Sequence, residues 1–177
     1  NPSSPVVAVQ AWVKAGSTTE AEARAGMSHI LEHMAFKGTK RRGPGEIARE
    51  VEGVGGEINA YTSFDQTVYH ITISGRFLEN ALDILADTLE NSIFDAGELS
   101  RELEVILEEV RMNEDNPGRV MSKALFRESY RVHPYGRPVI GYVDTIKKTT
   151  RDDLVSYFDA WYVPGNMVLV IAGGVDP

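Results

Sequence analysis

The stretch Gly26-Met27-Ser28-His29-Ile30-Leu31-Glu32-His33-Met34-Ala35-Phe36 sets two of the chain's four histidines one helical turn apart, with a carboxylate between them. Read as a helix at about 100° per residue, His29 and His33 fall roughly 40° apart, and Glu32 lies about 60° to the other side of His29, within one sector. Two neutral imidazoles on one face can grip one ion. Zinc takes imidazole nitrogen at about 2.0–2.1 Å in tetrahedral geometry, so it needs two further positions, one of them left open if the site is catalytic. A neighbouring glutamate that does not ligate can take a proton from water there. The same pattern also arises by chance among ordinary helix residues, so a third ligand elsewhere in the chain is what decides between the two.

Composition narrows what that ligand can be. With 177 residues, 42% of them hydrophobic, the chain can bury a core and is long enough for one domain. It contains no cysteine, so thiolate sites and disulfides are excluded and a metal must be held by histidine and carboxylate. The formal net charge is −8 and no basic run exceeds Lys40-Arg41-Arg42, which argues against a nucleic-acid partner. No apolar run reaches the roughly 18 residues of a membrane span, so no membrane partner is expected. Asn1-Pro2-Ser3-Ser4 opens without the charged start and apolar segment of a signal, although one could have been removed. The expectation is a soluble piece, cytoplasmic or periplasmic if bacterial, with the compartment otherwise undetermined.

Outward from the motif, Val-rich residues 6–15 between Pro5 and Gly16 read as a mostly buried strand, and 17–25 as a loop into the motif helix, which stops near Gly38. Gly43-Pro44 opens a second helix to about Glu52. Glu57 to Thr62 and Thr67 to Ser74 alternate as a hairpin about Ser63-Phe64-Asp65-Gln66. Helical spacing follows over 77–91, then over a long helix from about Gly97 to Glu114 capped by Asp95 and stopped by Pro117-Gly118. A helix over about 119–130, a turn-rich loop at His133-Pro134-Tyr135-Gly136-Arg137-Pro138, a helix capped by Thr150 and running to Tyr162, and an apolar strand at Met167 to Ala172 complete the chain. Strands bracket runs of helices, so the class is α+β.

The long helix carries five glutamates, a pattern most often found on a solvated face. Two of them, Glu102 and Glu109, are seven residues apart and fall within about 20° of each other, while Glu108 turns away by about 100°. One can ligate and the other can stand behind it.

At this point the chain resembles the pitrilysin family of inverted zincins, which includes insulysin and the mitochondrial processing peptidases and carries the H-x-x-E-H signature. The resemblance rests on His29 to Thr39, on Gly55-Gly56-Glu57-Ile58-Asn59-Ala60, on Glu102 to Glu109, and on His133 to Pro138, and it covers essentially the whole chain. It implies a mixed, mostly antiparallel sheet covered by helices, as in the processing-peptidase α/β sandwich. It implies that His29, His33 and Glu109 bind Zn²⁺, the family's spacing from His33 landing on Glu109. It further implies that Glu32 is the general base and that Glu102 orients a ligand or water. Asn59, Ala60 and Tyr61 match an edge strand on which substrate lies by strand addition.

The expected function is therefore a zinc metalloendopeptidase domain acting on peptides or unfolded polypeptide segments. Residues 1–177 would be one N-terminal domain, truncated at both ends, whose chamber is closed by a second homologous domain or subunit. The alternatives are a presequence-processing subunit and a non-catalytic structural subunit, and the metal triad disfavours the latter.

Overall fold

The computed structural model describes residues 5–175. Its centre is β1 (Val6–Val13), in which Val7, Val9, Ala11 and Val13 are buried on one face while the intervening residues are exposed or half-buried. Residues two apart share a face of a strand. The strand is thus half-buried rather than mostly buried as the run of valines suggested.

β1 pairs antiparallel with β3 (Thr67–Ser74), placing Val9 opposite Ile71, and with β4 (Met167–Gly173), placing Val9 opposite Ile171. β2 (Glu57–Thr62) pairs with β3 alone, giving the order β2-β3-β1-β4. All three pairings are antiparallel, so the α+β class holds with no parallel pair among the described residues. β4 forms where an apolar strand was expected, but as an exposed edge on which Leu169 is 56% accessible.

Helices cover one face. The motif helix α1 (Met27–Ala35) turns Met27, Ile30, Leu31 and Met34 into the core against Tyr69 and Ile71 of the sheet. Beside it run α2 (Glu46–Glu52), α3 (Leu78–Asn91) and the long α4 (Ala96–Glu114), whose first turn is capped by Asp95 accepting from the Gly97 and Glu98 amides at 2.9 and 3.0 Å. Leu99, Ile106, Leu107 and Val110 of α4 face inward, so its acidic residues ride on a helix whose apolar stripe fixes its rotation.

Pro117 does not merely stop α4. It is the first residue of α5 (Pro117–Ser129), where a missing N–H costs nothing, and Asn116 caps that helix by accepting from Gly118 and Arg119. A short helix absent from the sequence reading, α6 (Val143–Lys148), packs beside α4 with Ile146 buried, ahead of α7 (Arg151–Trp161), which Thr150 caps as expected. Gly26, at φ +99°, opens α1 where a Cβ would lie 2.7 Å from the Ile140 carbonyl oxygen, and a Cβ on Gly141, at φ +85°, would lie closer still to the Ala25 carbonyl oxygen. That mutual approach pins the start of α1 against the loop before α6.

Candidate metal centre

α1 is buried on its apolar side and turns His29, Glu32 and His33 toward α4. Two turns of α4 supply Glu102 and Glu109 on the facing side. His29 Nε2 lies 3.5 Å, and His33 Nε2 3.7 Å, from the same Oε2 of Glu109, and the imidazole centroids are 4.7 Å apart. One ligand atom from each of the three residues lies within 4.8 Å of the other two. A tetrahedral ion with bonds of about 2.0–2.1 Å separates its ligand atoms by roughly 3.3 Å, so this triangle fits zinc with little contraction.

Charge points the same way. Among Glu32, Glu102 and Glu109, Glu102 contacts the Lys37 ammonium at 2.6 Å and Glu109 feels the Arg119 guanidinium. With both imidazoles neutral, the three carboxylates outnumber these two cations, an imbalance that favours a bound cation. Burial, and then the neighbouring His33, push His29 down to about 4, the state in which it offers a lone pair. Burial would lower His33 as well, but the Glu109 and Glu102 carboxylates outweigh it and raise it. Glu109 is held below the usual carboxylate range, chiefly by its contact with His33. Burial raises Glu32 against the opposing effect of Thr62, whose Oγ1 donates to Glu32 Oε2 at 2.5 Å.

Glu102, 7% accessible, sits 3.2 Å from His33 Nδ1 and so leaves Nε2 to face Glu109. This is the carboxylate–histidine arrangement that fixes tautomer and ring orientation. His29 Nδ1 has no such partner; it is buried and makes no hydrogen bond among the described residues.

The structure thus brings together His29, Glu32, His33, Glu102 and Glu109. Asn59, Ala60 and Tyr61 lie on β2 at the edge of the sheet, leading up to Thr62, which touches Glu32. Sequence reasoning missed four supporting residues. Lys37 carried a signal, being one turn beyond His33. Thr62, Glu20 and Tyr157 carried none, because their roles depend on tertiary placement. Glu20, buried in the loop before α1, accepts from the Gly26 and Ser28 amides at 2.8 and 2.7 Å and caps the helix from outside it. Tyr157 of α7 ties Ser28 to Thr19 through hydroxyl contacts of 2.7 Å each.

Beside the centre opens a cleft of about 780 Å³, walled by α5 and the 136–140 loop and floored by His29, Thr62 and Phe64. Phe64 stacks on Phe126 at 5.0 Å and lies 4.7 Å from Tyr135 of the turn-rich loop.

Residues 1–142 match the family model described as Insulinase (Peptidase family M16), and residues 148–177 match the one described as Peptidase M16 inactive domain. A curated relative from Rickettsia felis, named an uncharacterized zinc protease, is 39% identical over 96% of this chain and 41% of its own length. The mitochondrial-processing peptidase subunit beta of Mus musculus is 42% identical over 93% of this chain and 34% of its own. The crystal structure of a protease from Helicobacter pylori superposes with a TM-score of 0.94 at 33% identity, over 97% of this chain and 42% of that one. The chain spans between about a third and two fifths of the length of these relatives.

Proposed function

Since the chain belongs to the insulinase family, peptidase family M16, as its resemblance indicated, we propose that it is the zinc-binding domain of a metalloendopeptidase. Its substrates are peptides or unstructured polypeptide segments bound in extended conformation. His29, His33 and Glu109 hold the ion. Bound zinc supplies Lewis acidity, lowering the pKa of water toward 7 and polarising the scissile carbonyl.

The chain's own residues do the rest. Glu32 takes the proton, held in place by Thr62, which donates to its Oε2. Burial makes its carboxylate a stronger base than an exposed one, and the proton it holds is later passed to the leaving amine. Glu102 positions His33, with Lys37 balancing its charge. β2 is an open edge, and its Ala60 N–H is held by the Asn59 side-chain oxygen at 2.9 Å. A substrate carbonyl can displace that oxygen, extending the sheet by one strand and freeing the Asn59 amide to contact the peptide. Thr62 closes β2 beside Glu32, so a peptide laid along this edge is led to the base. Residues 1–177 act as one domain, and a second homologous domain or subunit completes the chamber.

The observation that carries this reading is the three-residue triangle with Glu32 beside it at the end of an open strand. A presequence-processing role is the second reading, favoured by the mouse relative's name. The test is zinc content and hydrolysis of an unstructured peptide by the full-length protein and by Glu32→Gln. One zinc in each is expected, with turnover lower by about 10²–10⁴ in the variant. Absence of zinc from both, or turnover by Glu32→Gln within about tenfold of wild type, would overturn it.

A further inference from the structure

The chain as a whole is acidic, yet the cleft wall beside the metal centre is not. Arg119, Lys123 and Arg127 line it at i, i+4 and i+8 of α5, on one face of that helix. Like charges at this spacing destabilise a helix, and a surface stabilised for its own sake would alternate them with carboxylates. Here the intervening cleft residues are Val120, Ser122, Ala124 and Phe126.

The three cations are also poorly neutralised. Arg119 donates to the neutral side-chain oxygen of Asn113 and makes no close ion pair among the described residues, although Glu109 feels its charge. Lys123 has no carboxylate partner among the described residues. Arg127 reaches only its sequence neighbour Glu128, at 3.3 Å and with both side chains exposed, a contact that counts for little. Arg137, on the opposite wall, is tied to the Ser17 carbonyl at 3.1 Å and feels the buried Glu20, so its role is internal. Two carboxylates line the cleft. Glu109 is committed chiefly to the histidines while also feeling Arg119, and Glu114 at the end of α4 is the other. The cleft therefore holds a surplus of positive charge beside the stacked rings of Phe64 and Phe126, and it opens onto His29 and Glu109.

We propose that this cleft selects substrate segments carrying acidic side chains close to the scissile bond, with Arg119, Lys123 and Arg127 as the residues that read them. The inference rests on the peptidase reading for the position of the bond, but the charge preference is a property of the cleft itself. Carboxylates entering it replace hydration with guanidinium and ammonium contacts, while lysine or arginine side chains meet like charge, which is the repulsive half of a specificity device. It also runs against presequence processing wherever the segment removed is basic.

The experiment uses the zinc-loaded full-length protein bearing Glu32→Gln, which binds without turnover. The probes are fluorescein-labelled peptides of Ala and Ser carrying either two Glu or two Lys at the same positions, titrated by anisotropy at low and high salt. We expect the Glu peptide to bind roughly tenfold or more tightly than the Lys peptide, with a gap that narrows at high salt. Adding Arg119→Glu and Lys123→Glu should reverse the order, whereas Lys147→Glu on α6 should leave it unchanged. Equal binding of the two peptides, tighter binding of the Lys peptide, or a preference untouched by the α5 reversals would overturn the proposal. Tight, α5-dependent binding of the Glu peptide without hydrolysis by the wild-type protein would leave the cleft assignment standing and remove the peptidase reading.

Discussion

Two clusters of charged side chains lie at opposite ends of the same short segment of chain, and they are built on opposite principles. Just past α1, Arg42 contacts Asp87 at 2.7 Å, Asp83 at 2.7 Å and Glu50 at 3.1 Å. Thr39 donates to Asp87 Oδ2 at 2.6 Å and Asn91 Nδ2 donates to Asp87 Oδ1 at 3.0 Å, while Arg41 spans both oxygens of Asp83 at 2.8 and 2.9 Å. The fully buried Asp87 carboxylate is answered by donors on both oxygens. Between α1 and α4, by contrast, three carboxylates crowd two imidazoles with Lys37 and Arg119 at the margin, and a buried ring nitrogen has no hydrogen-bond partner among the described residues. A buried charge network that is complete holds a loop in place. One that is short of positive charge, and arranged at the spacing of a metal's ligands, has a use for the charge it lacks.

The largest expected effect breaks the first cluster without touching the second. Arg42→Ala leaves Asp87 buried and unpaired and should destabilise the fold by about 3–5 kcal/mol, measured by urea unfolding, while zinc affinity of the folded protein stays within about twofold by competition with a chelator. If zinc affinity fell in step with stability, the two clusters would be one unit. Smaller, and on the other side of the comparison, is Glu102→Gln, which removes the charge behind His33 and keeps the shape. Zinc affinity should drop by about 10–100-fold, with activity falling in parallel. Rescue by excess zinc would mark Glu102 as a positioning residue, whereas an unrescued loss would place it in the chemistry.

The two clusters differed in how far the sequence revealed them. His29, Glu32 and His33 were visible because helical periodicity is local, and a spacing of three or four residues in a chain becomes a distance in space. Glu109 was visible through a second helix whose apolar stripe was equally local, combined with a family resemblance that singled it out among five glutamates. The Arg42 network was not legible, since Thr39, Arg42, Glu50, Asp83 and Asp87 come from three segments whose mutual placement only the packed core determines. The same holds for Glu20, Thr62 and Tyr157. Strand β3 and hairpin partner β2 were read to the residue from alternation. α6 was missed because six residues are too few for periodicity, and Pro117, correctly read as lying past the end of α4, was not also read as the start of α5, although a proline that ends one helix can equally begin the next. β4 was correct as a strand, while its exposure as an edge depended on topology that hydropathy alone does not carry.

A still smaller effect separates the clusters by pH. Asp83 is held down to about 2, first by its contacts with Arg41 and Arg42. Asp87 is lowered too, its hydrogen bonds from Thr39, Arg42 and Asn91 overcoming the cost of burial. A carboxylate depressed in the folded state adds stability that is complete above its unfolded pKa, near 3.9, and is lost as pH falls through the folded value. Metal-free protein should therefore lose stability between about pH 4 and pH 2, and Asp83→Asn should flatten that limb of the urea-midpoint curve against pH. An unchanged acid limb in Asp83→Asn would assign the loss to other carboxylates.

The central claim is that the incomplete cluster is completed by one divalent cation. Its most direct test is calorimetric titration of zinc into chelator-treated protein at neutral pH, with thermal melts of wild type and Glu109→Gln recorded alongside. One zinc per chain is expected, with a melting temperature that rises on binding as mass action requires, and both are lost in Glu109→Gln, whose metal-free melt is somewhat lower than that of the wild type because the carboxylate's contact with His33 is gone. A wild-type protein that takes up no zinc, or a Glu109→Gln protein that binds it as tightly, would contradict the account.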